Sequence, residues 1–162
     1  MSSSRPDTAA TKHDVDSFGN LWIFITWAKE ATTYDNLLLD GSISNADVRD
    51  GAGWSGLHEI PYIGSFNKDV DTDILISYLL TCDPPADVSG RTNVGGWTPM
   101  CNAVIWKSTS AVKVLIDFGG DRTIKSNSDA AYPYPNKTPL DIAKIENDTS
   151  NQSGLAWIEG VQ

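Results

Sequence analysis

One short pattern recurs along this chain, and it restricts the fold more than any other feature. Gly95-Gly96-Trp97-Thr98-Pro99-Met100-Cys101-Asn102-Ala103 reads as a turn, a helix start and one apolar helix face. Adjacent glycines accept a left-handed backbone and reverse the chain cheaply. Thr98 suits an N-cap, and Pro99 suits the first helical position, where the missing N–H costs nothing. Met100, Ala103 and Val104 then share a face at helical spacing. Asp50 to His58 aligns with Asn93 to Cys101, Pro133 to Ala143 aligns again, and Asp16 to Phe24 is a weaker copy. In all of them the fourth residue, Gly19, Gly53, Gly96 or Asn136, is of a type that tolerates a left-handed backbone.

Recurrence at this spacing implies helical hairpins that cannot bury an apolar face alone and so stack on one another. Trp97-Thr98-Pro99-Met100-Cys101-Asn102-Ala103 and Thr138-Pro139-Leu140-Asp141-Ile142-Ala143 resemble the ankyrin-repeat family, whose units carry T-P-L-H-x-A after a glycine turn. Ser55-Gly56-Leu57-His58-Glu59-Ile60 matches in part, with Gly56 for the proline and Ile60 for the alanine; His58 is the one family histidine kept among these three. The resemblance covers Asp16 to the C-terminus. It implies an all-α fold, an ankyrin-like solenoid of helical hairpins with units near 16–49, 50–92, 93–132 and 133–162. Residues 1–15 precede it as a polar tail without apolar period.

Within that frame, Leu21 to Ala28 forms the first helix of an apolar N-terminal unit. The first helix of the next unit, from Gly56, is expected to end at Ile60 because Pro61 removes a helical hydrogen bond. Residues 61–73 and 126–135 are insertions relative to the family period. The second helix of that unit is expected over Ile74 to Leu80 with Thr72 or Asp73 as its cap. The next runs from Ser110 to Phe118 and stops at Gly119-Gly120. The last unit is expected to break off after Ile145 and close with a short helix over 153–158.

Composition narrows the function classes. The 162 residues include six tryptophans and 40% hydrophobic residues, which suits a folded chain. A net charge of −9 opposes nucleic-acid binding, which needs a basic surface. No apolar run approaches the ~20 residues of a membrane span, and no basic-then-apolar leader opens the chain, so a cytoplasmic location is expected. Two cysteines, Cys82 and Cys101, make no disulfide framework.

The residues for catalysis are sparse. His13 and His58 are the only histidines, and no Cys-x-x-Cys or His-x-x-x-His pair offers a metal site. Cys101 reads as a small buried residue, and the alternating Asp69, Asp71 and Asp73 lack the glycine and glutamate of a calcium loop. The family resemblance gives His58 a structural role, bridging hairpin loops through backbone hydrogen bonds. No enzyme activity, cofactor or metal is expected.

Binding to another protein is the function that the resemblance implies. The residue between the turn glycine and the Thr-Pro pair faces a partner in that family; here those positions are Asn20, Trp54, Trp97 and Lys137. Tryptophan is also the residue most enriched in interface hot spots. Gly51, Val94 and Tyr134 share this edge, Tyr62, Phe66 and Tyr132 add aromatic groups on the insertions, and Trp106 is a further candidate at its helix end. Asp47, Asp50 and Asp87 would complement a basic patch on the partner. The competing expectation is a structural protein that self-associates through the apolar Leu21 to Ala28 face.

Overall fold

The computed structural model describes residues 46–47, 49–66, 68 and 71–160, with side chains to 155. Asn20 and the apolar Leu21 to Ala28 segment therefore lie outside the described residues. Among the described residues the regular structure is wholly helical: α1 (Gly56–Phe66), α2 (Thr72–Thr81), α3 (Pro99–Ile105), α4 (Thr109–Asp117), α5 (Pro139–Ile145) and α6 (Thr149–Gly160). None of these helices is long and apolar enough to cross a membrane. The chain divides into two compact units, Met1–Asp87 and Val88–Gln162.

In the first unit α1 packs against α2. Leu57, Ile60, Ile63, Leu75, Ile76 and Leu79 are buried at this contact-forming pair of helices. Pro61 does not end α1, contrary to the sequence expectation; the helix continues to Phe66 with Pro61 inside it. Losing one backbone bond to an interior proline costs about 3 kcal/mol. Burial of Ile60 and Ile63 offsets this, at roughly 1.5–3 kcal/mol for each such side chain. Residues 61–66 of the first insertion are thus an extension of α1, and 72–73 already belong to α2. The cap of α2 is also corrected: Asp71, not Thr72 or Asp73, accepts from the Ile74 N–H at 3.3 Å.

In the second unit α3 packs on α4 and α5 on α6, while α3 also meets α5 and α4 meets α6. First helix lies on first helix, and second on second. Met100, Ala103, Val104, Leu115, Ile142, Ala143 and Leu155 are 0–1% exposed and form this core. Thr98 caps α3 by accepting from the Cys101 N–H, with Pro99 at the first position. Thr138 caps α5 in a reciprocal box, accepting from the Asp141 N–H while the Asp141 carboxylate accepts from the Thr138 N–H.

The hairpins turn by one device used twice. Lys107 adopts φ 56° after α3, and its N–H and that of Ser108 donate to the carbonyls of Val104 and Ala103. Asn147 adopts φ 54° after α5, and its N–H and that of Asp148 donate to Lys144 and Ala143. This is the left-handed C-terminal stop that satisfies the last helical carbonyls. Ser108 and Asp148 then cap the following helices through Ala111 and Asn151. Consequently α4 starts at Thr109 and α6 at Thr149, and the last unit holds a complete second helix rather than the short closing segment expected at 153–158. Gly119 at φ 85° ends α4 in the same manner, with Gly119 and Gly120 donating to Ile116 and Leu115.

Candidate functional site: the hairpin tips

Each first helix is preceded by a loop that closes on itself through one polar side chain. In the first unit the Asp50 N–H donates to the Trp54 carbonyl, and the Trp54 N–H donates back to Asp50 Oδ1, both at 3.0 Å. The same oxygen accepts from the Ala52 N–H at 2.9 Å. In the second unit the Thr92 N–H donates to the Trp97 carbonyl, and the Trp97 N–H donates to Thr92 Oγ1, again at 3.0 Å. Ser126 and Lys137 repeat the exchange at 2.9 and 3.0 Å. The hydroxyls of Thr92 and Ser126 also donate into their own loops, to the carbonyls of Val94 and Tyr134.

The three loops thus share one closure, although they differ in length. Sequence alignment pairs Asp50 with Asn93; the structural equivalent is Thr92, one residue earlier. The second insertion, 126–135, is an enlarged tip held by the Ser126–Lys137 closure. Gly53, Gly96 and Asn136 all have positive φ, at 86°, 58° and 55°, so the residue just before the tryptophan or lysine occupies the left-handed region in each tip.

In the second unit the two tips are tied together. Gly95 donates its N–H to Asp129 Oδ1 at 3.0 Å and accepts from the Asn127 N–H at 2.8 Å. Arg91 Nη2 reaches the Lys125 carbonyl and the Asn127 side chain at 2.8 and 2.5 Å. The Asn127 side chain occupies the space that a Cβ at Gly96 would take, and the Trp97 ring lies over Gly95 in the same sense. Trp97 meets the Tyr134 ring edge to face, centroids 5.9 Å apart. The Tyr134 hydroxyl donates to Glu146; burial, and then that carboxylate, push its phenol up to about 12.

Several expected site residues therefore come together here. Trp97 and Tyr134 touch, and both are half-buried. Lys137 is half-buried and contributes its backbone to the closure. Val94 is 67% exposed and Tyr132 93% exposed on these joined tips. The contributions of Arg91, Thr92, Ser126, Asn127 and Asp129 escaped the sequence reading. The available signal was a side-chain acceptor at the base of every glycine turn.

Other expected residues lie elsewhere. Trp54 is half-buried at the first unit's tip, edge on to His58 at 5.5 Å, beside exposed Gly51. Tyr62 and Phe66 sit further along α1 with rings 5.2 Å apart. Trp106 is the C-cap of α3, at the opposite end from Thr98, so it is not a tip residue. Arg49 bonds Asp47 at 3.2 Å and lies 3.8 Å from Asp87, and Asp50 organises its own turn. The three carboxylates expected to meet a basic partner thus also hold the first tip together.

The reactive groups have structural settings. His58 is fully buried, and its Nδ1 accepts from the Ser55 N–H at 3.2 Å, closing the first turn of α1. The proton on the ring is accordingly assigned to Nε2. Glu59 is pushed up to about 7, chiefly by burial and secondly by the Asp50 charge. Burial raises the fully buried Cys101 thiol, against the opposing hydrogen bonds of Thr98. Asp117 lines a groove of about 270 Å³ between α4 and α6 together with Lys113, Val112, Ile116 and Gly154. Among the described residues no three His, Cys, Asp or Glu side chains converge as metal ligands would. In comparison with known proteins, no family model matches the chain and no curated protein matches it.

Proposed function

We propose that this chain is an ankyrin-like repeat solenoid that binds another protein, without catalysis, through its hairpin tips. The observation that carries this reading is the pair of tied tips in residues 88–162. Backbone and side-chain bonds between the loops fix a surface on which Val94 and Tyr132 stand out, with Trp97 and Tyr134 braced behind them. A loop already ordered loses little conformational entropy on association, so more of the buried area counts toward affinity. Tyrosine and tryptophan supply large contact area with few rotatable bonds. Trp54 holds the equivalent position to Trp97 at the first unit's own tip, half-buried and edge on to His58.

Affinity capture from the native source tests this, using wild type and a Val94→Ser/Tyr132→Ala variant. Both positions are exposed, so the variant should keep its helical circular dichroism. Loss of a partner held by the wild type is the expected result. A partner retained equally by the folded variant contradicts the reading.

A further inference from the structure

Formal charge is divided unevenly between the two units. Residues 1–87 carry five Lys and Arg against fourteen Asp and Glu, a net −9, whereas residues 88–162 carry seven against seven. The whole acidity of the chain belongs to the first unit. That unit also exposes apolar surface at one end of its hairpin. Phe66, the last residue of α1, is 56% exposed, and Ile74, in the first turn of α2, is 48% exposed. These positions share an end of the hairpin, because a Cβ on Gly64 would come within 2.7 Å of Thr72 Oγ1.

The chemistry around these two side chains favours a cation. The last turn of α1 holds no basic residue, so no side-chain cation there offsets the negative end of the helix dipole. Asp71 and Asp73 are exposed beside it; Asp71 also caps α2, and Asp73 lies in the first turn of that helix. Lys68 is the one basic residue between the two helices. The Tyr62 and Phe66 rings meet edge to face with 67° between planes. An aromatic face beside carboxylates suits guanidinium, which stacks on the ring and pairs with the acid, while its aliphatic stem covers an apolar neighbour such as Ile74.

We propose that this end of the α1–α2 hairpin docks an arginine-bearing basic segment of a partner protein. The carboxylates repel phosphate, which disfavours nucleic acid and anionic membrane at this surface. The patch belongs to residues 1–87 and the tied tips to residues 88–162, and it is argued from different residues, so either proposal stands if the other falls.

The test is a fluorescence-anisotropy titration of the full-length chain with labelled nona-arginine and nona-lysine peptides, near physiological salt. Nona-arginine should bind more tightly than nona-lysine. Phe66→Ala should weaken nona-arginine about tenfold, the upper range for a stacked cation on an aromatic face. Asp73→Asn should weaken it several-fold, and Asp117→Asn, which removes an exposed carboxylate of the other unit, should leave it unchanged. Circular dichroism establishes that each variant is folded, and Asp73→Asn provides a reading independent of Phe66. Equal binding of the two peptides, or binding indifferent to both Phe66→Ala and Asp73→Asn, overturns the proposal in favour of diffuse charge attraction. Absence of nona-arginine binding overturns it too. So does a self-association lost in Phe66→Ala and not inhibited by nona-arginine, which assigns the patch to a second copy.

Discussion

Lys107 occupies a left-handed backbone position where glycine is the usual residue, at φ 56° with an exposed side chain. A side chain in that region costs roughly 1–2 kcal/mol, and the larger conformational entropy that glycine gives the unfolded chain offsets part of the gain from relieving it. Lys107→Gly should therefore stabilise the chain by about 1 kcal/mol, read as a raised urea midpoint with unchanged slope. Glu59 gives a pH signature. Its folded value of about 7 lies above the ordinary 4.5, so the folded state holds the proton more tightly. That contribution is complete below the unfolded value and is lost as pH rises from 4.5 through about 7. Glu59→Gln should remove this component: the variant's melting temperature should gain on the wild type across that window and hold the gain above it. A constant difference at all pH values would mean that Glu59 does not titrate there.

The helix starts were the most legible elements. Thr98-Pro99 and Thr138-Pro139 announce a cap and a first position chemically, and the structure uses both as such. Less legible were the stops and restarts. Lys107-Ser108 and Asn147-Asp148 compress a left-handed stop and a new N-cap into two residues, and neither carries the glycine that marks the end of α4. The start of α6 was missed for that reason. Replacing Asp148 by Ala should cost about 1 kcal/mol, the usual worth of an N-cap, and should lower helical ellipticity on thermal ramping before the main transition. α1 taught the opposite lesson: a local breaker, Pro61, yielded to burial of Ile60 and Ile63, which only tertiary contact with α2 supplies.

Tip chemistry links these elements to the molecule as a whole. Trp97, Tyr134 and Val94 were legible as candidates because they flank a recurring glycine turn. The bonds that tie their loops, Gly95 with Asn127 and Asp129 and Arg91 with Asn127, join residues more than thirty positions apart, and no local pattern specifies such pairings. Ser126→Ala removes the acceptor for the Lys137 N–H and the donor to the Tyr134 carbonyl. The predicted cost is about 1–3 kcal/mol, as for a buried group left unsatisfied, with amide exchange at Lys137 accelerated and exchange in α1 unaffected.

The binding account is tested most directly by photo-crosslinking in the native source. p-Benzoylphenylalanine replaces Tyr132 on the tied tips in one sample and Lys113, on the α4–α6 groove, in another. A discrete crosslinked protein is expected from position 132 and none from position 113. Crosslinks confined to position 113 would move the binding face to the second helices and contradict it.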